Sequence, residues 1–183
     1  MDPSRLRRIA AICVAAAVLA PVLSACGDEP GVDEPAREGL AIDIGGINYN
    51  VFITRELNLA IPPDKDYYKG PPAEPGNALY GIFIQACNIS ESEDRVSTED
   101  FVVEDNQGNE FEPIELEKDN AFAYHPVKLR GNECIPEEGS VAQLGPTAGS
   151  MLLFDFPLEN TENRPLELVV NGGGEEKRFE LDL

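Results

Sequence analysis

The sequence predicts an all-β sandwich or barrel, and three observations carry that expectation. From residue 40 onward, apolar residues recur with a period of two rather than 3.6. Glycine, proline and asparagine clusters cut these runs into about seven to nine short segments, a spacing typical of sandwiches and barrels. No stretch carries a convincing amphipathic helical face, although 117–130 has room for a helical turn.

The N-terminal segment has the parts of a secretory signal. Arg5, Arg7 and Arg8 form a positive start, and Ile9 to Leu23 is uncharged and mostly apolar. The segment closes on Leu23-Ser24-Ala25-Cys26. That closing pattern resembles the bacterial lipobox, in which the cysteine receives a diacylglyceryl thioether and becomes the first mature residue. The resemblance implies a signal peptide over residues 1–25, lipidation of Cys26 and a membrane anchor on the extracytoplasmic face. Two or more acyl chains hold a protein stably, whereas one does so marginally. The alternative is an uncleaved anchor helix. Against it, the run is shorter than the ~20 residues a spanning helix needs, and Pro21 interrupts it.

Residues 26–39 contain Pro30, Pro35, three glycines and five acids with no periodic apolar face. They read as a disordered acidic tether. The folded domain is expected over 40–183. Leu40, Ile42 and Ile44 alternate, then Ile47, Tyr49, Val51 and Ile53, with Gly45-Gly46 read as a bulge between them. Residues 79–88 are apolar on both sides, as in a central strand covered on both faces. Runs at 101–105 and 110–116 flank the turn Asn106-Gln107-Gly108-Asn109. Met151 to Phe156 is a strand stopped by Pro157. Leu166–Val170 and Phe179–Leu183 make a final hairpin around Gly172-Gly173-Gly174.

The net charge is −20, and because residues 1–25 hold three Arg and one Asp, the chain from Cys26 onward carries −22. Such acidity argues against nucleic-acid partners and adsorption to anionic lipid, and favours solubility. There are four cysteines. Cys13 leaves with the signal and Cys26 takes the lipid, so Cys87 and Cys134 are the pair available for a disulfide in an oxidising compartment. The bridge would place their Cα atoms roughly 4.4–6.8 Å apart. Two free thiols or a metal site are the alternatives, though no C-x-x-C is present and His125 is not at ligand spacing.

Several motifs then fall into a familiar order: Tyr80–Asn88, Ser97–Asp105, Gly108–Pro113, Ser150–Pro157 and Pro165–Leu168. Over residues 45 to 171 the chain resembles an immunoglobulin-like domain, without assigned function, that is common in lipoproteins and secreted proteins of Gram-positive bacteria. Asn88, Phe101, Asp105, Gly108, Phe111, Phe154 and Pro157 fall on its motif positions. The resemblance implies an immunoglobulin-like antiparallel β-sandwich and no catalytic residue. The cysteine pair and the long Pro-rich loop depart from the family.

Chemistry-bearing residues are sparse. His125 is the only histidine and no G-x-S-x-G elbow accompanies it. Two acidic clusters have hard ligands for Ca²⁺, Glu91/Glu93/Asp94 with Glu99/Asp100 and Asp105/Asn106/Asn109/Glu110, but neither matches a calcium loop and no metal residues are assigned. The segment Asn58–Asn77 is longer than a connection needs and is the leading candidate for a binding loop. Its Tyr67, Tyr68 and Lys69 either meet a partner or pack back on the sheet. The expectation is therefore a non-enzymatic, lipid-anchored protein-interaction or envelope-binding module with no cofactor. A small-molecule or metal-ion carrier is the alternative, and a hydrolase comes third.

Overall fold

A computed structural model describes residues 29–183. The expected signal peptide over 1–25 and the expected lipidation residue Cys26 lie outside the described residues. Twelve strands form the framework. They are β1 (Ala36–Arg37), β2 (Ile42–Ile44), β3 (Ile47–Glu56), β4 (Asn77–Asn88), β5 (Arg95–Val96) and β6 (Asp100–Glu104), then β7 (Glu110–Phe111), β8 (Lys128–Leu129), β9 (Cys134–Ile135), β10 (Ser150–Pro157), β11 (Glu167–Gly172) and β12 (Glu175–Glu180). Helix is limited to single turns at α1 (Asp64–Tyr67), α2 (Val141–Leu144) and a 3₁₀ turn over Asn160–Glu162.

The strands make two principal sheets, ordered β10-β4-β3-β2 and β1-β12-β11-β6-β7. All pairings are antiparallel except β1 with β12. Alternate side chains of both sheets meet in one core: Ile44, Tyr49, Ile82 and Phe154 from the first, Phe101, Leu168 and Phe179 from the second. This is the all-β antiparallel sandwich that the period-two pattern predicts.

β4 is buried on both faces, as its unbroken apolar run requires. Ile82 and Ile84 point into the main core, while Leu79 and Phe83 enter a second cluster with Leu57, Tyr67, Met151 and Leu153 on the outer face. Cys87 and Cys134 lie directly opposite each other on β4 and β9 and are disulfide-bonded. Their Cα atoms are 4.1 Å apart, below the expected range. Asn88 N–H donates to the Glu133 carbonyl, which makes Cys87/Cys134 a non-hydrogen-bonded antiparallel pair, the narrow kind at about 4.5 Å.

Three expectations need correction. Gly45-Gly46 is a two-residue hairpin turn between β2 and β3, with φ of +62° and +83°, not a bulge. The bulge lies at Phe52, where the register slips between Val51 and Ile53. That extra residue reverses the alternation, so Ile53 is exposed and Thr54 is buried. Finally, order begins before Leu40. β1 pairs with Phe179 and Glu180, Ala36 enters the core, Arg178 N–H donates to the Gly31 carbonyl, and Lys177 pairs with Glu29 at 2.6 Å. The acidic composition of 29–39 hides these contacts, because backbone pairing and one small apolar residue carry them.

Candidate functional site

The long loop Asn58–Asn77 is cover for the first sheet. Tyr67 is 1% exposed, and its ring packs edge-on against Phe83 and Phe122, each at 4.9 Å. Asp64 is buried beneath the loop and pairs with Arg55 at 2.8 Å. Its Oδ2 also accepts the Asn58 N–H at 2.9 Å. A buried carboxylate held this way pins the start of the loop. Of the three candidate contact residues, Tyr67 is therefore core, Tyr68 is half-buried against the same outer cluster, and only Lys69 is exposed.

A second segment completes the layer. Ile114 N–H donates to the Leu153 carbonyl, and Met151 exchanges backbone hydrogen bonds with Phe122 and Tyr124. Residues 115–121 therefore arch away from the edge of β10, tied down at both feet. Asn120 Nδ2 donates to the Tyr67 carbonyl at 2.8 Å and links the arch to the loop. Depressions flank the arch. One, about 700 Å³, lies toward Glu99, Tyr124 and His125. The other, about 590 Å³, lies toward Asp66, Tyr68 and Lys69. Glu115 and Leu116 line both.

The polar groups beside the first depression are committed to structure. Tyr124 Oη donates to the Thr98 carbonyl and Tyr49 Oη accepts the Thr98 N–H. Burial, with Tyr49 adjacent, pushes the Tyr124 phenol well above its ordinary value. Ser97 Oγ donates to the Val127 carbonyl and accepts the Val127 N–H. These hydroxyls hold the crossing between sheets and are not free as nucleophiles. His125 lines the depression, with its Nε2 enclosed and without a protein partner.

Several members of the acidic clusters are committed to structure. Glu93 pairs with Arg95 at 2.6 Å and Asp94 with Lys128 at 2.8 Å. Asp105 is 5% exposed and is a structural hub. Its Oδ1 accepts the backbone N–H of Gln107 and Asn109, and its Oδ2 accepts the side-chain amides of Asn109, Asn160 and Asn163. Burial alone would raise its pKa, but the five donors outweigh it and hold the carboxyl far below the usual range. The hub ties the β6–β7 turn to the 3₁₀ turn after β10. Asn88 acts similarly: its Nδ2 donates to the Glu93 and Leu129 carbonyls and its Oδ1 accepts the Ser90 N–H. Among the described residues, no three His, Cys, Asp or Glu side chains are grouped as a metal centre requires.

The arch was not singled out by sequence reasoning. Its available signal was the charge run Glu115–Asp119 directly after an apolar pair of short strands, which resembles any solvated turn.

No family model matches the chain, and no curated protein matches it. Among solved structures, the yjhA protein from Bacillus subtilis is similar at 11% identity and a TM-score of 0.49, covering 81% of this chain and all of that one. An uncharacterised β-sandwich protein from Clostridium difficile is similar at 13% identity and a TM-score of 0.48, covering 81% of this chain and 95% of that one.

Proposed function

We propose that this protein is an extracytoplasmic lipoprotein, anchored to the membrane through Cys26, whose sandwich is a non-enzymatic module for binding an envelope protein. The observation that carries the reading is the Cys87–Cys134 bridge. Such bridges persist in oxidising compartments, which agrees with the lipobox-like Leu23–Cys26 sequence. The immunoglobulin-like resemblance supports the same placement. Binding rather than turnover is supported by the hydroxyls of Ser97 and Tyr124 being consumed in backbone hydrogen bonds, while the arch and its flanking depressions offer a shaped surface on a stiff frame.

Metabolic labelling with a fatty acid tests the anchor. The wild type should incorporate label, and Cys26→Ala should abolish incorporation and leave an unprocessed precursor. Normal export without label would refute the lipoprotein assignment. Substrate turnover lost in His125→Ala would refute the non-enzymatic one.

A further inference from the structure

The arch combines two features: its carboxylates are unpaired, and they stand over apolar residues. Glu99, Glu115, Glu117 and Asp119 surround the depressions, and none forms an ion pair among the described residues. Of the two lysines lining the depressions, Lys69 pairs with Asp66 at 3.1 Å, and Lys118 forms no ion pair among the described residues. Elsewhere some carboxylates are neutralised locally, as where Arg178 engages Glu104, Glu167 and Glu176, while others, Glu137 and Glu138 among them, are likewise unpaired among the described residues. Beneath the unpaired charges, Ile114, Leu116 and Phe122 are half-buried against the outer cluster. The two depressions share Glu115 and Leu116, so together they form one extended surface.

We infer that this surface binds a basic, amphipathic polypeptide segment, with lysine or arginine side chains meeting Glu99, Glu115, Glu117 and Asp119 and apolar side chains entering the two depressions beside Leu116. The inference rests on the binding-module reading and assigns the class of partner and its place. Four like charges against one opposite charge make the match electrostatic, and the low apolar floor supplies the desolvated contact that charge alone does not. The two concavities on either side of a ridge suit alternate side chains of an extended chain better than one compact ligand.

The test uses the full chain in detergent and a short fluorescent peptide of alternating lysine and leucine, with its glutamate–leucine counterpart as control. The lysine peptide should bind saturably and the glutamate peptide should not. Glu115→Gln with Glu117→Gln should weaken binding about tenfold, because charge pairs of this kind contribute on that scale. Glu137→Gln with Glu138→Gln removes the same net charge from the exposed surface beside the disulfide and should leave binding within about twofold. Equal weakening by both pairs would mean attraction to the general negative field and would overturn the site. Absence of saturable binding by the lysine peptide would overturn it too. Cross-linking in intact envelopes separates the two levels of the argument. A partner captured equally by wild type and the Glu115/Glu117 variant overturns this surface but not the module, whereas no captured partner overturns both.

Discussion

Replacing Tyr67 isolates the role of the long loop. The side chain is 1% exposed and contacts Phe83 and Phe122 edge-on, so Tyr67→Ala removes a fully buried aromatic ring and two aromatic pairs. Truncations of this size cost about 3–5 kcal/mol, depending on how far the site collapses. For a domain of this length each kcal/mol corresponds to about 2–4 °C in Tm, so the melt should fall by about 6–20 °C. Tyr67→Phe provides the control. The Tyr67 hydroxyl is buried without a protein partner, and deleting an unsatisfied polar group should leave stability unchanged or raise it by up to about 1 kcal/mol. Urea denaturation followed by far-UV circular dichroism would read both variants. A loss below about 1 kcal/mol for Tyr67→Ala would refute the assignment of Asn58–Asn77 as cover for the sheet. The same reasoning extends to the loop as a whole: shortening 63–76 removes Tyr67 and Asp64 together, and a loss beyond about 3 kcal/mol is expected.

Asp105 carries a pH dependence of known sign. Its folded pKa lies below the ordinary value, so its contribution is complete above the unfolded value near about 4 and disappears as pH falls through the folded one. Asp105→Asn turns one acceptor oxygen into a donor facing amide donors, and should cost about 3 kcal/mol at neutral pH while flattening the loss of stability below about pH 4; a variant with the wild-type acid limb would refute the hub. Reducing the Cys87–Cys134 bridge opens a loop of 47 residues in sequence separation. The chain-entropy treatment gives roughly 4 kcal/mol for that loop, so urea midpoints with and without reductant should differ accordingly, and two free thiols in the denatured, unreduced protein would refute the bridge.

Much of the framework was legible because burial writes a period into the chain. The strands β3, β4, β6, β10 and β11 lie where alternation or a two-sided apolar run placed them, whereas β12 (Glu175–Glu180) starts four residues before the expected Phe179–Leu183 run and ends inside it. Of the five two-residue strands, β1, β5, β8 and β9 were not legible, since two residues cannot display a period, and β7 falls at the start of the longer run expected over 110–116. Gly45-Gly46 was misread because a glycine pair serves a bulge or a hairpin equally well, and the choice depends on tertiary contact. Here that contact is explicit: a Cβ at Gly45 would come within 2.6 Å of the Gly173 Cα, so the tight turns of the two sheets meet glycine against glycine. At both positions φ is positive, and only glycine supplies the conformation and the clearance together.

The motif residues that carried the family resemblance have uses that explain why they occur and why they reveal no chemistry. Asn88 closes the turn after β4, Asp105 gathers five donors, and Phe101, Phe111 and Phe154 fill the core or its margin. These are requirements of a sandwich's corners and interior. A surface selected for binding needs none of them. The arch at 115–121 is tied by hydrogen bonds to β10 residues 27 to 39 positions away in sequence, and the site proposed there depends on unpaired carboxylates meeting an apolar floor in three dimensions. Glu93 and Glu117 are indistinguishable as letters, yet one is paired with Arg95 and the other stands unpaired beside an apolar floor. Charge composition argues against nucleic acid from sequence alone, whereas the partner class proposed above rests on matching charges and apolar residues against their neighbours in space.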